Sequence, residues 1–281
     1  GAIQLPDFQR GYKWDDDRIR ELLVTVLRGH PMGALMQLAH GEGAGVRFKP
    51  QPLARVAADA EGKSLNLEAP EFLLLDGQQR MTSLYQSLMG SGIVATKDSR
   101  GALYSRRYFL DVELALGDPE EQDRAVLSVP ESGQLTESFG RVVTLDLSTR
   151  EAQLREGIMP LTAVFDGSVT KWLIEYSRTG EDLDRRLDVF ERFNDDVVER
   201  IKGYVIPAIR LDKSTTKEAV ATVFEKVNSG GLPLNNFELL TAIFAGDKDY
   251  FDEHGDDFRL GEDWAGHREA LHRHAVLKGI R

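Results

Sequence analysis

The chain has 281 residues, 41% of them hydrophobic, and its 35 basic and 46 acidic side chains leave a net charge of −11. This apolar content suffices for one large core or two modest ones, which excludes a disordered chain, and two lobes are expected. The acidic balance excludes a broad non-specific grip on nucleic acid, though not a local basic pocket, and the lack of cysteine excludes disulfides and thiolate zinc sites and suits a reducing cytoplasm.

Residues 1–14, GAIQLPDFQRGYKW, begin without a methionine, as expected of a fragment, and pass from a short strand into a loop of polar and aromatic side chains. Asp15 or Asp16 caps a helix whose Ile19, Leu22, Leu23, Val26 and Leu27 form a core-facing stripe, ended by Gly29 and Pro31. Residues 33–39 read as a strand and the Gly-rich stretch after them as a loop. A second, buried strand, EFLLL, leads into a helix over 78–89 with Met81, Leu84, Tyr85 and Leu88 on one face. Residues 105–114 read as a strand, whereas 117–150 carry few signals. From about 151 to 203 the pattern is helical, as for an insertion or second lobe. A strand follows over 204–212, where Pro207 restricts it to a sheet edge or a strand end. Then come a helix over 216–227, the loop NSGGLPLN, a short helix, and a helical extension over 246–281. No apolar run approaches the ~20 residues that cross a bilayer. The expected fold class is α+β, a mixed core with an added helical region.

Function turns on DGQQR, residues 76–80. Asp76 stands where a buried strand gives way to a helix, a common place for ligands in open sheets, and free amides of a first helical turn favour an anion. Gly77 lets backbone approach a ligand, Gln78 and Gln79 donate or accept hydrogen bonds, and Arg80 offers a planar fork to phosphate. The same residues also spell a capping box, Asp76 with Gln79 three positions on, which needs no ligand. A carboxylate beside a polyphosphate repels it unless a divalent cation bridges them, so a functional Asp76 implies Mg²⁺ or a role in orienting water.

Two further stretches flank this one. LPDFQRGYKW sets Gln9, Arg10 and Lys13 among Phe8, Tyr12 and Trp14, a mixture that either stacks on a base and holds phosphate or plugs the core with its rings. VFEKVNSGGLPLNNFELL reads as a helix end, a turn and a helix capped by Asn235 with Glu238, leaving Asn228 and the paired glycines 230 and 231 as its candidate ligand contacts. AADAEGKS, 57–64, ends like a P-loop but has Ala57 in the place of the first glycine. His267, His272 and His274 lack the pairing that binds metal on one helical face, and no G-x-S-x-G elbow occurs.

The three stretches, in this order, resemble the N-terminal domain of the GmrSD family of modification-dependent restriction proteins, which includes phosphorothioate-sensing members. The resemblance covers roughly residues 3–245, and DGQQR followed by Met-Thr is its most specific element. It implies a ParB/sulfiredoxin-like fold over 1–245 with GTP- or UTP-type nucleoside triphosphatase activity, in antiphage defence in bacteria. By position, Asp76, Gln78, Gln79 and Arg80 would be catalytic, with Asp76 toward Mg²⁺. Gln9, Arg10, Gly77, Thr82, Asn228 and Gly231 would contact nucleotide, and Phe8, Tyr12, Lys13 and Trp14 would sense modified double-stranded DNA. The relatives' cutting activity resides in a C-terminal nuclease domain or partner subunit, and homo-oligomer formation is left open. The competing expectations are a binding switch without hydrolysis and a metal-dependent nuclease using Asp76.

Overall fold

A computed structural model of the chain describes residues 2–273 except 10, 11, 13, 45, 47, 54–68, 98–101, 138–140, 181, 228–239, 242, 243, 245–249, 251, 252, 256, 257 and 259, and except the side chains of 225, 227, 261, 262 and 270–273. The chain opens with strand β1 (Ile3–Pro6), helix α1 (Asp16–Leu27) and strands β2 (Leu35–Ala39), β3 (Pro50–Gln51) and β4 (Phe72–Asp76). Asp15 caps α1 by accepting the Arg18 N–H, and Ile19, Leu22, Leu23, Val26 and Leu27 are buried as their spacing predicts. Helix α2 (Gln78–Leu88) follows β4 directly, then β5 (Val94–Lys97) and β6 (Leu103–Asp111).

The stretch over 117–150 is not featureless. A short helix, α3 (Val112–Ala115), precedes it, and it contains a second, α4 (Pro119–Ala125), then β7 (Val126–Pro130) and the hairpin of β8 (Gln134–Glu137) and β9 (Val142–Asp146). Helices α5 (Arg150–Glu156), α6 (Val169–Ser177), α7 (Leu183–Phe193) and α8 (Glu199–Lys202) make the helical region, with β10 (Ile158–Pro160) after α5 and one π-helical turn, Asn194–Val198, joining α7 to α8. Strand β11 (Ala208–Leu211), α9 (Lys217–Val227) and α10 (Leu260–Arg273) follow among the described residues. The mixture in several sheets is an α+β fold, as expected. Among the described residues no helix is long and apolar enough to cross a membrane.

The main sheet has the order β11-β2-β4-β1-β3, so β11 lies at an edge, as Pro207 requires. β1 and β4 are parallel, and β2 is antiparallel to β4 and parallel to β11. One face of this sheet, with Met36, Leu38, Leu73 and Leu75, packs on Val220 and Phe224 of α9, and the other presents Leu5, Leu35 and Leu74 toward Met81 of α2. The helical region has no core of its own among the described residues. Trp172, Leu173, Tyr176 and Phe193 share one large apolar cluster with α1, with Leu84 and Leu88 of α2, and with Tyr108 and Leu110 of β6. The expected second lobe is therefore a helical layer closing the same interior.

Candidate functional site

Strand directions decide where the chemistry gathers. The parallel strands β1 and β4 end at Pro6 and Asp76, while β2 and β11 run the other way and begin at Leu35 and Ala208. The loop after β1, the β4–α2 turn and the segments before β2 and β11 therefore meet along one edge of the sheet, at the carboxyl ends of its parallel pair.

Asp76 is the last residue of β4, paired with Met36 of β2, and Gly77 rather than Asp76 is the N-cap of α2. Among the described residues no side chain caps this helix, so the capping box does not form. The carboxylate turns instead to Arg80, one helical turn on, whose Nη2 lies 2.8 Å from Asp76 Oδ2. The same guanidinium donates from Nη1 to the Met32 carbonyl at 2.9 Å and from Nη2 to the Ala34 carbonyl at 3.0 Å. Three of its five N–H groups are thus engaged, and the side chain is 17% exposed against 29% for Asp76. Gly77 (φ +98°) is buried, and a Cβ there would run into the Leu35 Cδ2 methyl. Gly33 (φ +91°) is shaped by the same neighbour, since its Cβ would lie 2.7 Å from Arg80 Nη1. Both glycines make room for the Asp76–Arg80 pair within the protein.

The first motif reaches this turn. The Gln9 side-chain amide donates to the carbonyls of Leu74 (2.7 Å) and Leu75 (2.9 Å), immediately before Asp76 and 65 residues away in sequence. Gln9 thus braces the strand end, while its Oε1 is buried with no hydrogen-bond partner among the described residues. The Tyr12 hydroxyl is 2.7 Å from Ser83 Oγ, which in turn donates to the Gln79 carbonyl at 2.8 Å. Burial pushes the Tyr12 phenol up to about 12, against the lowering effect of Ser83 and with small additions from Asp15 and Asp16. Phe8 packs edge-on against Phe48 and Phe224 at 4.8 and 5.2 Å, and Trp14 lies against the large cluster while its carbonyl accepts from Thr96. These three rings serve the interior, the core-plugging arrangement that the sequence leaves open.

Arg10, Lys13, Asn228 and Gly231, with the cap expected at Asn235 and the P-loop-like stretch at 57–64, lie outside the described residues. Gln78 and Gln79 are half-buried in the first turn of α2. Thr82 is fully buried, and its hydroxyl has no hydrogen-bond partner among the described residues. It faces the interior instead of a ligand at the helix start, because position 82 lies on the buried side of α2. Sequence reasoning missed the 30–34 turn and Tyr204, whose hydroxyl donates to the His30 carbonyl (2.6 Å) and accepts from the Met32 N–H (3.0 Å). An HPMG run after a helix stop was the available signal, but nothing local ties it to Arg80.

The donor set bears on Mg²⁺ as well. No group of three or more His, Asp or Glu among the described residues could hold a metal. Mg²⁺ commonly takes one or two carboxylates and completes its shell with water and substrate phosphates. Asp76 Oδ1, free of the Arg80 contact, fits that limited role, whereas an all-protein cage does not fit.

Comparison with known proteins supplies the context. The sequence matches the family described as GmrSD restriction endonuclease, N-terminal domain, over residues 1–245. It is also similar to the uncharacterized protein MJ0686 of Methanocaldococcus jannaschii, at 26% identity over 251 residues, which covers 87% of this chain. The chain spans 39% of the length of that relative.

Proposed function

The chain belongs to the family of GmrSD restriction endonuclease N-terminal domains, and from that premise we propose that it is a nucleoside triphosphate hydrolysing sensor domain of a modification-dependent DNA restriction protein. GTP or UTP is the proposed nucleotide, and a modified, phosphorothioate-type duplex sets the hydrolysis rate. DNA cleavage is assigned to a separate nuclease domain or subunit. The observation that supports this reading is the meeting of the first motif with the second: Gln9 clasps the two carbonyls before Asp76, at the carboxyl ends of the parallel strands and beside an uncapped helix start.

In this reading the polyphosphate lies against the first turn of α2. The amides there and the Gln78 and Gln79 side chains contact its oxygens. Asp76 is held by Arg80 through Oδ2 and presents Oδ1 to the attacking water or to Mg²⁺. The ion pair also removes much of the repulsion between Asp76 and phosphate that the sequence alone implies. The metal, when bound, supplies charge neutralisation on the phosphate oxygens. The guanidinium N–H groups of Arg80 not used by Met32, Ala34 and Asp76 stabilise the charge that develops during transfer.

Phosphate release with GTP or UTP and Mg²⁺ is the test. Asp76→Asn is expected to lower turnover by about 100-fold or more, with little change in thermal midpoint because the amide keeps an oxygen for Arg80. Absence of phosphate release by the wild-type chain, with and without modified DNA, sinks the hydrolytic reading. A second reading, a nucleotide- or DNA-binding switch without turnover, is favoured by one observation, the engagement of the Arg80 fork with two backbone carbonyls. It predicts heat on titration with a triphosphate and no released phosphate. Nicking of plasmid by the chain alone would overturn the assignment of cleavage to another domain.

A further inference from the structure

The segment before β2 is held from two sides. On one side, Arg80 donates to the carbonyls of Met32 and Ala34. On the other, the Tyr204 hydroxyl takes both polar groups of the turn it faces, the His30 carbonyl and the Met32 N–H. One phenol can do both, because it has a single O–H to give and lone pairs to receive with. Pro31, between the two bonded residues, contributes a fixed φ and no N–H. The tie continues into the sheet, where the Leu35 N–H donates to the Pro207 carbonyl at 2.8 Å. Tyr204 follows α8 by two residues, so the tether originates at the end of the helical region and not in the sheet that carries Asp76.

We propose that Tyr204 is a positioning residue for the candidate site: its phenol fixes the backbone of residues 30–32, and that backbone fixes the Arg80 guanidinium that aims Asp76. Gly33 adopts a left-handed conformation whose Cβ would strike Arg80 Nη1, so the backbone is moulded around the guanidinium. The Asp76–Arg80 distance of 2.8 Å then depends on the acceptors at 32 and 34 remaining where Tyr204 puts them. Without that hydroxyl the ring still packs against the large cluster, but the two acceptors are free to drift and the carboxylate loses its fixed heading. Misplacement of a reacting group by about 1 Å is enough to cost turnover while leaving ground-state binding in place.

The activity arm of the test rests on the hydrolytic reading; the structural arm does not. Tyr204→Phe removes the hydroxyl alone. In ¹⁵N side-chain NMR of the full chain, with the Arg80 signals assigned by their loss in Arg80→Lys, the guanidinium hydrogens of Arg80 are expected to exchange with water at least about tenfold faster in the variant. In phosphate-release assays, with rates divided by the folded fraction measured by circular dichroism under assay conditions, kcat is expected to fall about five- to tenfold with KM changed by less than about twofold; a loss accounted for by the folded fraction alone counts as an unchanged kcat. Arg80 signals that are identical in wild type and Tyr204→Phe overturn the proposal, as does an unchanged kcat in an active enzyme. A wild type that releases no phosphate but whose Arg80 signals respond to the substitution removes the hydrolytic reading and leaves the positioning role supported.

Discussion

Tyr12 offers the clearest titration in the neighbourhood of the site. Its phenol ionises near 12 in the folded chain, chiefly through burial, against an ordinary value of 10. A raised acid of this kind holds its proton longer folded than unfolded, so its contribution to stability is complete below pH 10 and disappears as pH climbs toward 12. Tyr108, buried and donating to Asp16, is shifted in the same direction. Unfolding free energy measured across pH 10 to 12 should therefore fall with pH, and less steeply in Tyr12→Phe; equal slopes would contradict the burial of that hydroxyl. Gly77→Ala tests the turn itself. The left-handed backbone and the collision with Leu35 together should destabilise the chain by about 2–4 kcal/mol in urea unfolding, and a change below the error of the measurement would show that the turn relaxes freely. Gly77 also marks the limit of what residues reveal alone. Its spacing from Asp76 and Gln79 was legible, but the reason for it was not, because Leu35 and the Met36 partner of Asp76 lie some 40 positions upstream on another strand.

Elements with a long apolar period and a strong cap were readable: α1 has both, with Asp15 in front and Arg28 and Gly29 behind. β2 and β4 were readable as short apolar runs and α2 by its apolar face alone, without a cap, and β11 was placed at an edge by Pro207. The stretch from 117 to 150 was opaque because its pieces are short: β7 is held by pairing with β6, and β8 and β9 form a brief, partly exposed hairpin. One signal there was overlooked. Asp118, Pro119, Glu120 and Glu121 form a true capping box, with the proline in the first helical turn, at the start of α4. The strand read over 105–114 stops at Asp111, since the Asp111 carboxylate accepts the Leu114 N–H and starts α3. Within the helical layer, Trp172 of α6 is fully buried and stacked on Tyr176 at 5.5 Å. Trp172→Ala should cost about 3–5 kcal/mol, read from the shift in denaturation midpoint. A loss under 1 kcal/mol would mean that α6 packs far less tightly than its burial indicates.

At the scale of the molecule, the shared cluster of α1, α2, β6 and α6 predicts that the helical layer and the sheet unfold together. Trp172→Ala should move far-ultraviolet ellipticity and the hydrogen exchange of β4 amides by the same amount; separate transitions would restore a second lobe. The net charge of −11 predicts feeble binding of plain duplex DNA, with a shallow dependence on salt, so a steep slope would reveal a cationic groove that the totals conceal. The edge where the strands meet carries one more implication. Its parts come from residues 6–9, 12, 30–34, 76–83 and 204–207, so a chain emerging from the ribosome holds fragments of the turn without its frame until β11 has been made. A protein truncated anywhere ahead of that strand should therefore never hold the Asp76–Arg80 pair in place.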